Sequence, residues 1–491
     1  MLFNSYIFIL VFLPVTWAVY YLLNSRRCFK MAQLTLIIAS LVFYGFYNRS
    51  YLFVMIGSVS INYIVSMIGH SLKKVRIKTP WKTVEGGAFI IGIGILINLS
   101  VLFYFKYMNF FIDNINVLFG KDIAITSIVL PLGISFYTFQ QISFLVDTYK
   151  ENIAYEFLDY AEFVCFFPQL VAGPIVSHEL IQQFRDRNRR KIDCDYVAKG
   201  LFLFSVGLLK KVIIADTLAR AVDWGFSDIT DMTNMDAIVV MLSYTFQIYF
   251  DFSGYSDMAV GLASMFNIEI PSNFNAPYKA DSIIEFWKRW HITLTQFLRK
   301  YIYYPLGGSK KGRMKTYVNI FLVFLVSGIW HGANWTFIVW GIVHGIANIC
   351  NRVFETPWNK FWGGVRWCLT FAFINFTWVI FRADSLQQAM QFGTKLFSGN
   401  NLQVSHALAS CFVLPEIDLL TYLLRVHHLN ITNYVIMALS IIVVFFVILK
   451  VKPFAQRTFQ PGIKNMLGTI ACLIWGIFSL AENSTFIYFG F

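Results

Sequence analysis

Two histidines lie in strongly apolar stretches of this 491-residue sequence, and histidine is the side chain that exchanges protons most readily near neutral pH. His331 stands in S-G-I-W-H-G-A-N-W-T-F-I-V-W-G-I-V-H-G, and His291 stands in E-F-W-K-R-W-H-I-T-L. A neutral imidazole in such a pocket can take a proton from a hydroxyl or thiol nucleophile. The alternative is a core histidine hydrogen-bonded to a neighbouring helix, and the residues alone leave both interpretations open.

Other polar residues share these apolar stretches. Asn334, His344 and Trp330 lie near the first histidine, and Asp251 and Asp257 stand in Q-I-Y-F-D-F-S-G-Y-S-D-M. A carboxylate in an apolar span is costly unless it is paired or hydrated, so we expect a Lys or Arg partner or a water-filled tunnel. These residues are candidates for shaping a substrate tunnel.

The second histidine belongs to a stretch with helical periodicity. Ser282 and Glu285 form a capping box, so a helix should begin there. Apolar residues then recur at helical spacing, and that stripe includes Trp287, Trp290, His291, Leu294, Phe297, Leu298 and Tyr301. Lys288 and Arg289 lie off the stripe, which predicts a basic amphipathic helix on or in the inner leaflet. It is either an interfacial anchor or the cytoplasmic mouth where these two cations meet a phosphate-bearing donor.

The C-terminal hexapeptide F-I-Y-F-G-F is most simply part of an aromatic belt at the membrane interface, although Tyr488 on a free tail could act as a hydroxyl nucleophile.

The sequence contains no metal-ligand motif, Walker A loop, dinucleotide fingerprint or G-x-S-x-G elbow. The seven cysteines are scattered without paired spacing, which disfavours a disulfide framework and predicts buried core thiols.

The composition places these residues in a membrane protein. Apolar residues make up 57%, aromatic residues 18% and charged residues 14%, and that charge is too small to cover a set of soluble domains. The net charge of +13 comes from Lys and Arg in short loops between apolar runs, which is the positive-inside pattern. We therefore do not expect a nucleic-acid partner.

The apolar runs predict an all-α polytopic fold with 11–12 transmembrane helices in a single membrane domain, 1–491. The spans are expected at 6–23, 31–47, 51–69, 88–111, 125–146, 196–215, 237–264, 317–332, 334–350, 366–381, 433–450 and 466–480. Residues 161–176 read as a re-entrant element because Pro and Gly interrupt them. Charge bias places both termini outside, so the basic segment 265–316 is cytoplasmic and the tail 481–491 is extracytoplasmic.

Several motifs together resemble the membrane-bound O-acyltransferase family, in its bacterial branch of alginate and peptidoglycan O-acetyltransferases, with the lipoteichoic acid D-alanyltransferase as a more distant relative. They are F-D-F-S-G-Y-S-D-M-A-V-G-L-A, F-W-K-R-W-H-I-T-L, Y-P-L-G-G, S-G-I-W-H-G-A-N-W-T-F-I-V-W-G-I-V-H-G, F-R-A-D-S and F-I-Y-F-G-F. The resemblance covers nearly the whole chain. It implies a ring of helices around a central tunnel, in the bacterial cytoplasmic membrane.

The resemblance also implies residue roles. His331 matches the family's catalytic histidine and His291 the second histidine of the bacterial branch, while Tyr488 matches the acyl-accepting tyrosine of a small companion protein. The implied donor is acetyl-CoA, used as a substrate with no bound cofactor. The implied partner is an extracytoplasmic acetyltransferase of the SGNH-hydrolase type, which would place the acetyl group on a polysaccharide or on peptidoglycan. A D-alanyl or other short-acyl transferase, or a transporter without bond making, is the alternative.

Overall fold

The computed structural model describes residues 1–46, 48–78, 83–125, 128–399, 401–412 and 430–480. The predicted acyl carrier Tyr488, with the tail 481–491, lies outside the described residues. The described chain is helical apart from one antiparallel pair of short strands, β1 (Arg76–Lys78) and β2 (Thr83–Glu85). The helices are α1 (Leu13–Ser25), α2 (Phe29–Gly45), α3 (Arg49–Ser71), α4 (Gly86–Leu102), α5 (Met108–Phe119), α6 (Ile134–Glu151), α7 (Phe157–Cys165), α8 (Phe167–Leu170), α9 (Leu180–Arg185), α10 (Cys194–Leu209), α11 (Asp216–Ser227), α12 (Asn234–Met265), α13 (Ile283–Arg289), α14 (Ile292–Leu298), α15 (Arg313–His331), α16 (Trp335–Val353), α17 (Glu355–Lys360), α18 (Gly363–Arg382), α19 (Leu386–Phe397), α20 (His406–Ala409), α21 (Asn430–Lys450) and α22 (Ile463–Phe478).

Each of the twelve predicted spans overlaps helical structure. Six stretches of the described chain are long and apolar enough to cross a membrane: Phe8–Ser25, Arg49–Ser71, Gly86–Phe119, Arg313–His331, Gly363–Arg382 and Thr432–Gln456. Two shorter apolar helices, α2 and α22, accompany them. The fold class is therefore an all-α polytopic membrane protein, as predicted, and the number of crossings stays a prediction.

Pro and Gly residues interrupt the helical structure in two of the predicted stretches. The span predicted at 125–146 becomes helical only at Ile134, because Pro131 and the left-handed Gly133 (φ 71°) precede it. The interrupted stretch 161–176 contains the end of α7 and the whole of α8, and then becomes irregular, so it is not one continuous helix, as predicted.

The chain divides into two compact units, and the expectation of one membrane domain stays a prediction. The first unit is Met1–Phe204 with Met258–Pro271. In it, α3 and α4 are joined by reciprocal amide hydrogen bonds between Asn62 and Asn98, at 3.1 and 2.6 Å. Such amide pairs hold helices together where no water is available to satisfy them.

The second unit is Ser205–Asp257 with Ser272–Phe491, and it contains both candidate histidines. Its α15 and α16 form a tightly packed hairpin. A Cβ built on Gly328 would lie 2.4 Å from the carbonyl oxygen of Phe337, and one on Gly341 would lie 2.6 Å from that of Phe324. The two helices approach so closely because both contact positions are glycine.

The prediction of buried core thiols is wrong for most of the cysteines. Cys165 is buried, whereas four of the seven are exposed on the protein surface: Cys28, Cys194, Cys350 and Cys368. Cys28 and Cys194 stand beside charged residues at the start of helices, and Cys350 and Cys368 lie on the outer sides of α16 and α18.

Candidate active site

His331 is the last residue of α15 and is enclosed by aromatic rings. Its side chain lies almost entirely within the protein, with 4% exposed. The ring centroids of Trp330, Trp340 and Phe381 lie 4.9, 5.3 and 5.2 Å from the imidazole centroid. We call these three rings the aromatic cage. The cage keeps water away from the imidazole and orients it, as proton transfer in a closed site requires.

The turn after His331 is fixed by Asn334. Its side-chain oxygen accepts a hydrogen bond from the backbone N–H of Thr336 at 3.0 Å, so it is the N-cap of α16. Its amide nitrogen donates to the carbonyl oxygen of Asp384 at 2.8 Å. The predicted role of Asn334 in shaping a tunnel stays a prediction; in the structure it holds the hairpin turn that carries His331.

His291 lies at a break in the predicted amphipathic helix. Ser282 caps α13 by accepting from the Glu285 N–H at 3.2 Å, which confirms the predicted start of that helix. The prediction of one continuous helix is wrong, because His291 takes a left-handed conformation (φ 43°, ψ 56°) and α14 starts after it. A non-glycine residue in this region costs about 1–3 kcal/mol, and such conformations are concentrated at functional sites. The break turns the histidine fully inward.

The two histidines meet the same indole. The ring centroid of Trp330 lies 4.9 Å from that of His331 and 6.1 Å from that of His291. The Phe252 ring packs on His291 at a centroid distance of 4.8 Å. Burial lowers the pKa of His291 to about 3, so this ring is neutral at physiological pH. Trp290, also predicted as a site residue, is buried as well. The structure thus brings the two predicted catalytic histidines into contact with one tryptophan.

His344 is held by hydrogen bonds at both ring nitrogens. The indole N–H of Trp287 donates to its Nδ1 at 3.2 Å, and its Nε2 lies 3.1 Å from the hydroxyl oxygen of Thr377. That hydroxyl donates to the Ile374 carbonyl oxygen at 2.9 Å. Nδ1 is the acceptor, so Nε2 carries the proton, and this assignment follows from the hydrogen-bond network.

The expected cationic partners of the two buried aspartates are lysines. Lys211 Nζ lies 2.6 Å from Asp251 Oδ1 and 2.8 Å from Asp216 Oδ1, and Lys210 Nζ lies 2.5 Å from Asp257 Oδ2. The prediction that Asp251 and Asp257 need a Lys or Arg partner is confirmed. The signal in the sequence was the pair of lysines inside the apolar run L-L-K-K-V-I-I-A, which sequence reasoning did not use.

Both lysines belong to a π-helical turn, Lys210–Ala215, between α10 and α11. This turn lies against α12 at Gly254, where a built Cβ would be 2.8 Å from the Gly207 carbonyl oxygen and 3.1 Å from the Lys210 Cβ. The missing side chain of Gly254 therefore lets the lysine-bearing turn approach the helix that carries both aspartates.

A cavity of about 450 Å³ lies in the same unit. Its apolar lining includes Phe324 and Trp287, whose rings meet at a centroid distance of 5.3 Å. Its cationic lining residues are Lys288, Arg299 and Arg352. We call this space the basic-mouthed cavity, since it combines apolar walls with three cations. It is large enough for part of a small-molecule ligand.

The two predicted donor-binding residues, Lys288 and Arg289, lie in different surroundings. Lys288 is exposed and lines the basic-mouthed cavity, whereas Arg289 forms an ion pair with Glu285 one helical turn away. Arg299 belongs to the same basic stretch as Lys288 in the sequence, whereas Arg352 was missed, because only the fold brings it to the same space. In the sequence, Arg299 is followed by another cationic residue, and Arg352 follows an amide residue. Neither pattern indicates a ligand-binding site.

The described structure is thus a polytopic helical membrane protein with a buried histidine pair near an aromatic cage. The family profile of the membrane-bound O-acyltransferases matches residues 152–386. The chain is 42% identical to a peptidoglycan O-acetyltransferase of Helicobacter pylori over 438 residues, which cover 83% of this chain and 81% of that protein. It is 40% identical to a probable alginate O-acetylase, AlgI, of Pseudomonas aeruginosa over 416 residues, covering 82% and 76%. A teichoic acid D-alanyltransferase of Bacillus subtilis is 29% identical over 51% of this chain and 68% of its own length.

The chain belongs to the membrane-bound O-acyltransferase family, and it is an acyltransferase.

Proposed function

We propose that this chain takes an acetyl group from a thioester on the cytoplasmic side, acetyl-CoA in the simplest case, and passes it to a hydroxyl on the outer side. The product is an O-acetylated cell-wall or extracellular polysaccharide. The observation that carries the proposal is the buried pair of His331 and His291 around one indole, in a chain of this family.

His331 is proposed as the general base. It takes the proton of the acceptor hydroxyl while that oxygen attacks the thioester carbonyl carbon. The carbon–sulfur bond breaks, the thiolate leaves, and it recovers the proton from the imidazolium, so the products are an ester and a free thiol. His291 is proposed as the group that positions the thioester on the donor side. Its buried ring is neutral, so one ring nitrogen can donate a hydrogen bond and the other can accept one.

The donor is proposed to enter through the basic-mouthed cavity. Lys288, Arg299 and Arg352 suit the phosphates of a nucleotide thioester, since guanidinium and ammonium groups bind phosphate oxygens with charge-assisted hydrogen bonds. The apolar part of the cavity suits the pantetheine arm and the acyl group. Ser327 lines this part and precedes His331 by one helical turn in α15, so the inner end of the cavity lies near the proposed base.

On the outer side, Tyr488 is proposed to carry the acetyl group as an aryl ester before a partner acetyltransferase of the SGNH-hydrolase type transfers it to the polymer. Support comes from the sequence of the tail, F-I-Y-F-G-F, and from the charge bias that predicts an outer location. The protein is proposed to reside in the bacterial cytoplasmic membrane, where a cytoplasmic thioester and an outer polymer can both be reached.

Acetyl is proposed over D-alanyl because of the relatives. The two named O-acetylating relatives match about four fifths of this chain at 40–42% identity, whereas the D-alanyltransferase of Bacillus subtilis matches about half of it at 29%. Membranes containing the full chain should therefore release thiol faster from acetyl-CoA than from a D-alanyl thioester.

The decisive test replaces His331. We expect His331→Ala to lower acetyl transfer by about 10²–10⁴-fold, the usual contribution of a positioned general base. The measurement is thiol release and recovery of labelled acetyl group in membranes supplied with labelled acetyl-CoA. His406→Ala is the matched control, because His406 is exposed at the start of α20 and should retain wild-type transfer.

Near wild-type transfer by His331→Ala, in membranes with normal amounts of folded protein, would contradict the proposed base. Labelled acetyl group retained on the wild-type chain but absent from Tyr488→Phe would support the covalent carrier. Transfer at the normal rate by Tyr488→Phe would remove the carrier step and leave the rest of the proposal in place.

A further inference from the structure

Trp287 connects the basic-mouthed cavity to the aromatic cage. Its indole lines the cavity, and its ring centroid lies 5.6 Å from that of Trp340, at an interplanar angle of 74°. The Trp340 ring in turn lies edge-on to His331 at 5.3 Å. The Trp287 indole therefore contacts both the cavity and the tryptophan that packs on His331.

The Trp287 indole is held by a directional chain of hydrogen bonds. Trp287 donates to His344, His344 donates from Nε2 to Thr377, and Thr377 donates to the Ile374 carbonyl oxygen. His344 and Thr377 are fully buried. Turning the indole away would leave a buried ring nitrogen of His344 without its donor, and a buried polar atom that loses its partner is costly.

Aromatic contacts also hold the Trp287 side chain. Phe324 meets the Trp287 ring edge-on at 5.3 Å, and His344 meets it nearly perpendicular, at 5.2 Å and 88°. The indole is 6% exposed. A tryptophan with two side-chain torsions and contacts on several sides is a rigid element, so it can exclude a ligand group by shape.

We infer that Trp287 sets the length of the acyl group, and that His344 and Thr377 position it for this task. The inference rests on the proposed function, since it places the donor in the basic-mouthed cavity. The ligand class is a short-chain acyl thioester, whose acyl group fits between the indole and the path to His331. His344 acts through Trp287 and exchanges no proton with the substrate.

The test compares acetyl-CoA with butyryl-CoA as donors for the full chain in membranes. One methylene in a confined apolar pocket changes kcat/KM by roughly 10–200-fold, so the wild type should prefer acetyl over butyryl at least about tenfold. Trp287→Ala and the milder Trp287→Leu should raise the butyryl-to-acetyl ratio of kcat/KM at least about tenfold. Trp362→Ala, which removes a tryptophan that is 80% exposed, is the control and should leave the ratio unchanged.

Thr377→Val removes the acceptor for the His344 Nε2–H and leaves the cavity lining intact. It should raise the same ratio by a smaller factor than Trp287→Ala. The pH profile of acetyl transfer should stay that of the wild type, because His344 exchanges no proton with the substrate. A shifted pH profile in Thr377→Val would instead assign His344 a proton-transfer role and overturn its positioning role.

Two outcomes overturn the inference that Trp287 sets the acyl length. One is a wild-type enzyme that uses butyryl-CoA as well as acetyl-CoA, a measurement that needs no variant to fold. The other is a Trp287→Leu enzyme that still transfers acetyl and has the same butyryl-to-acetyl ratio of kcat/KM as the wild type. Both outcomes leave the proposed acetyl transfer standing, whereas a wild type that releases no thiol from either donor contradicts the proposed function itself.

Discussion

The shared ammonium group of Lys211 offers the sharpest test of how the second unit is held together. Lys211→Met keeps the length of the side chain and removes the cation from two buried carboxylates, Asp251 at 2.6 Å and Asp216 at 2.8 Å. The Lys211 side chain is 5% exposed and the Asp251 side chain 1%. Removing one partner of a buried ion pair costs about 3–5 kcal/mol, because the remaining charge stays in a medium of low polarity.

The assay is denaturant unfolding of the purified chain in detergent micelles, followed by tryptophan fluorescence. We expect Lys211→Met to lower the free energy of unfolding by about 3–5 kcal/mol. Adding Asp251→Asn should restore part of the loss, since the double variant buries one fewer uncompensated charge. Asp384→Asn is the control, because Asp384 lies 3.8 Å from Arg382 and its side chain is 82% exposed, so no measurable change is expected. A loss below about 1 kcal/mol for Lys211→Met, with no recovery in the double variant, would refute the reasoning.

Two further predictions concern packing and pH. Gly328→Val should separate α15 from α16, because its Cβ would lie 2.4 Å from the Phe337 carbonyl oxygen. The variant should show less acetyl transfer and a lower unfolding temperature than the wild type. Wild-type values for both measurements would contradict the close crossing of the two helices. The hydrogen bond from the Tyr196 hydroxyl is the main cause that lowers the pKa of Glu269 below its usual 4.5. Its stabilising effect is therefore complete above pH 4.5 and is lost as the pH falls through the folded-state pKa. Glu269→Gln should unfold at a lower temperature than the wild type at pH 7, and this difference should shrink as the pH falls below 4.5; a difference that does not change with pH would contradict the assignment.

The spans could be predicted from the sequence because their signal is local. Each predicted apolar run overlaps a helix, and the Ser282 cap was readable from its spacing to Glu285. The left-handed His291 was not readable, since a helical stripe runs through it and the break depends on tertiary contacts such as the one with Phe252. Periodicity predicts a face of a helix, and it does not report where that helix stops.

The candidate site could be predicted in part for the same reason. His331 and its neighbour Trp330 are adjacent in the chain, so the aromatic surroundings were visible in the sequence. Phe381, by contrast, reaches the cage from α18, fifty positions further along, and Thr377 reaches His344 from the same helix. Contacts of this range are decided by how helices cross, and a single sequence carries no direct signal for that.

The π-helical turn Lys210–Ala215 has a consequence for insertions and deletions in related chains. A π-helical turn has roughly one residue more than the α-helical turn it replaces. Deleting one residue there would restore an α-helical turn and leave α10 and α11 in nearly the same relative orientation. The deletion would, however, remove one of the residues of the turn that holds Lys210 and Lys211 against the aspartates of α12. In an alignment of relatives, this turn is therefore a place where a one-residue gap can fall without reorienting α11.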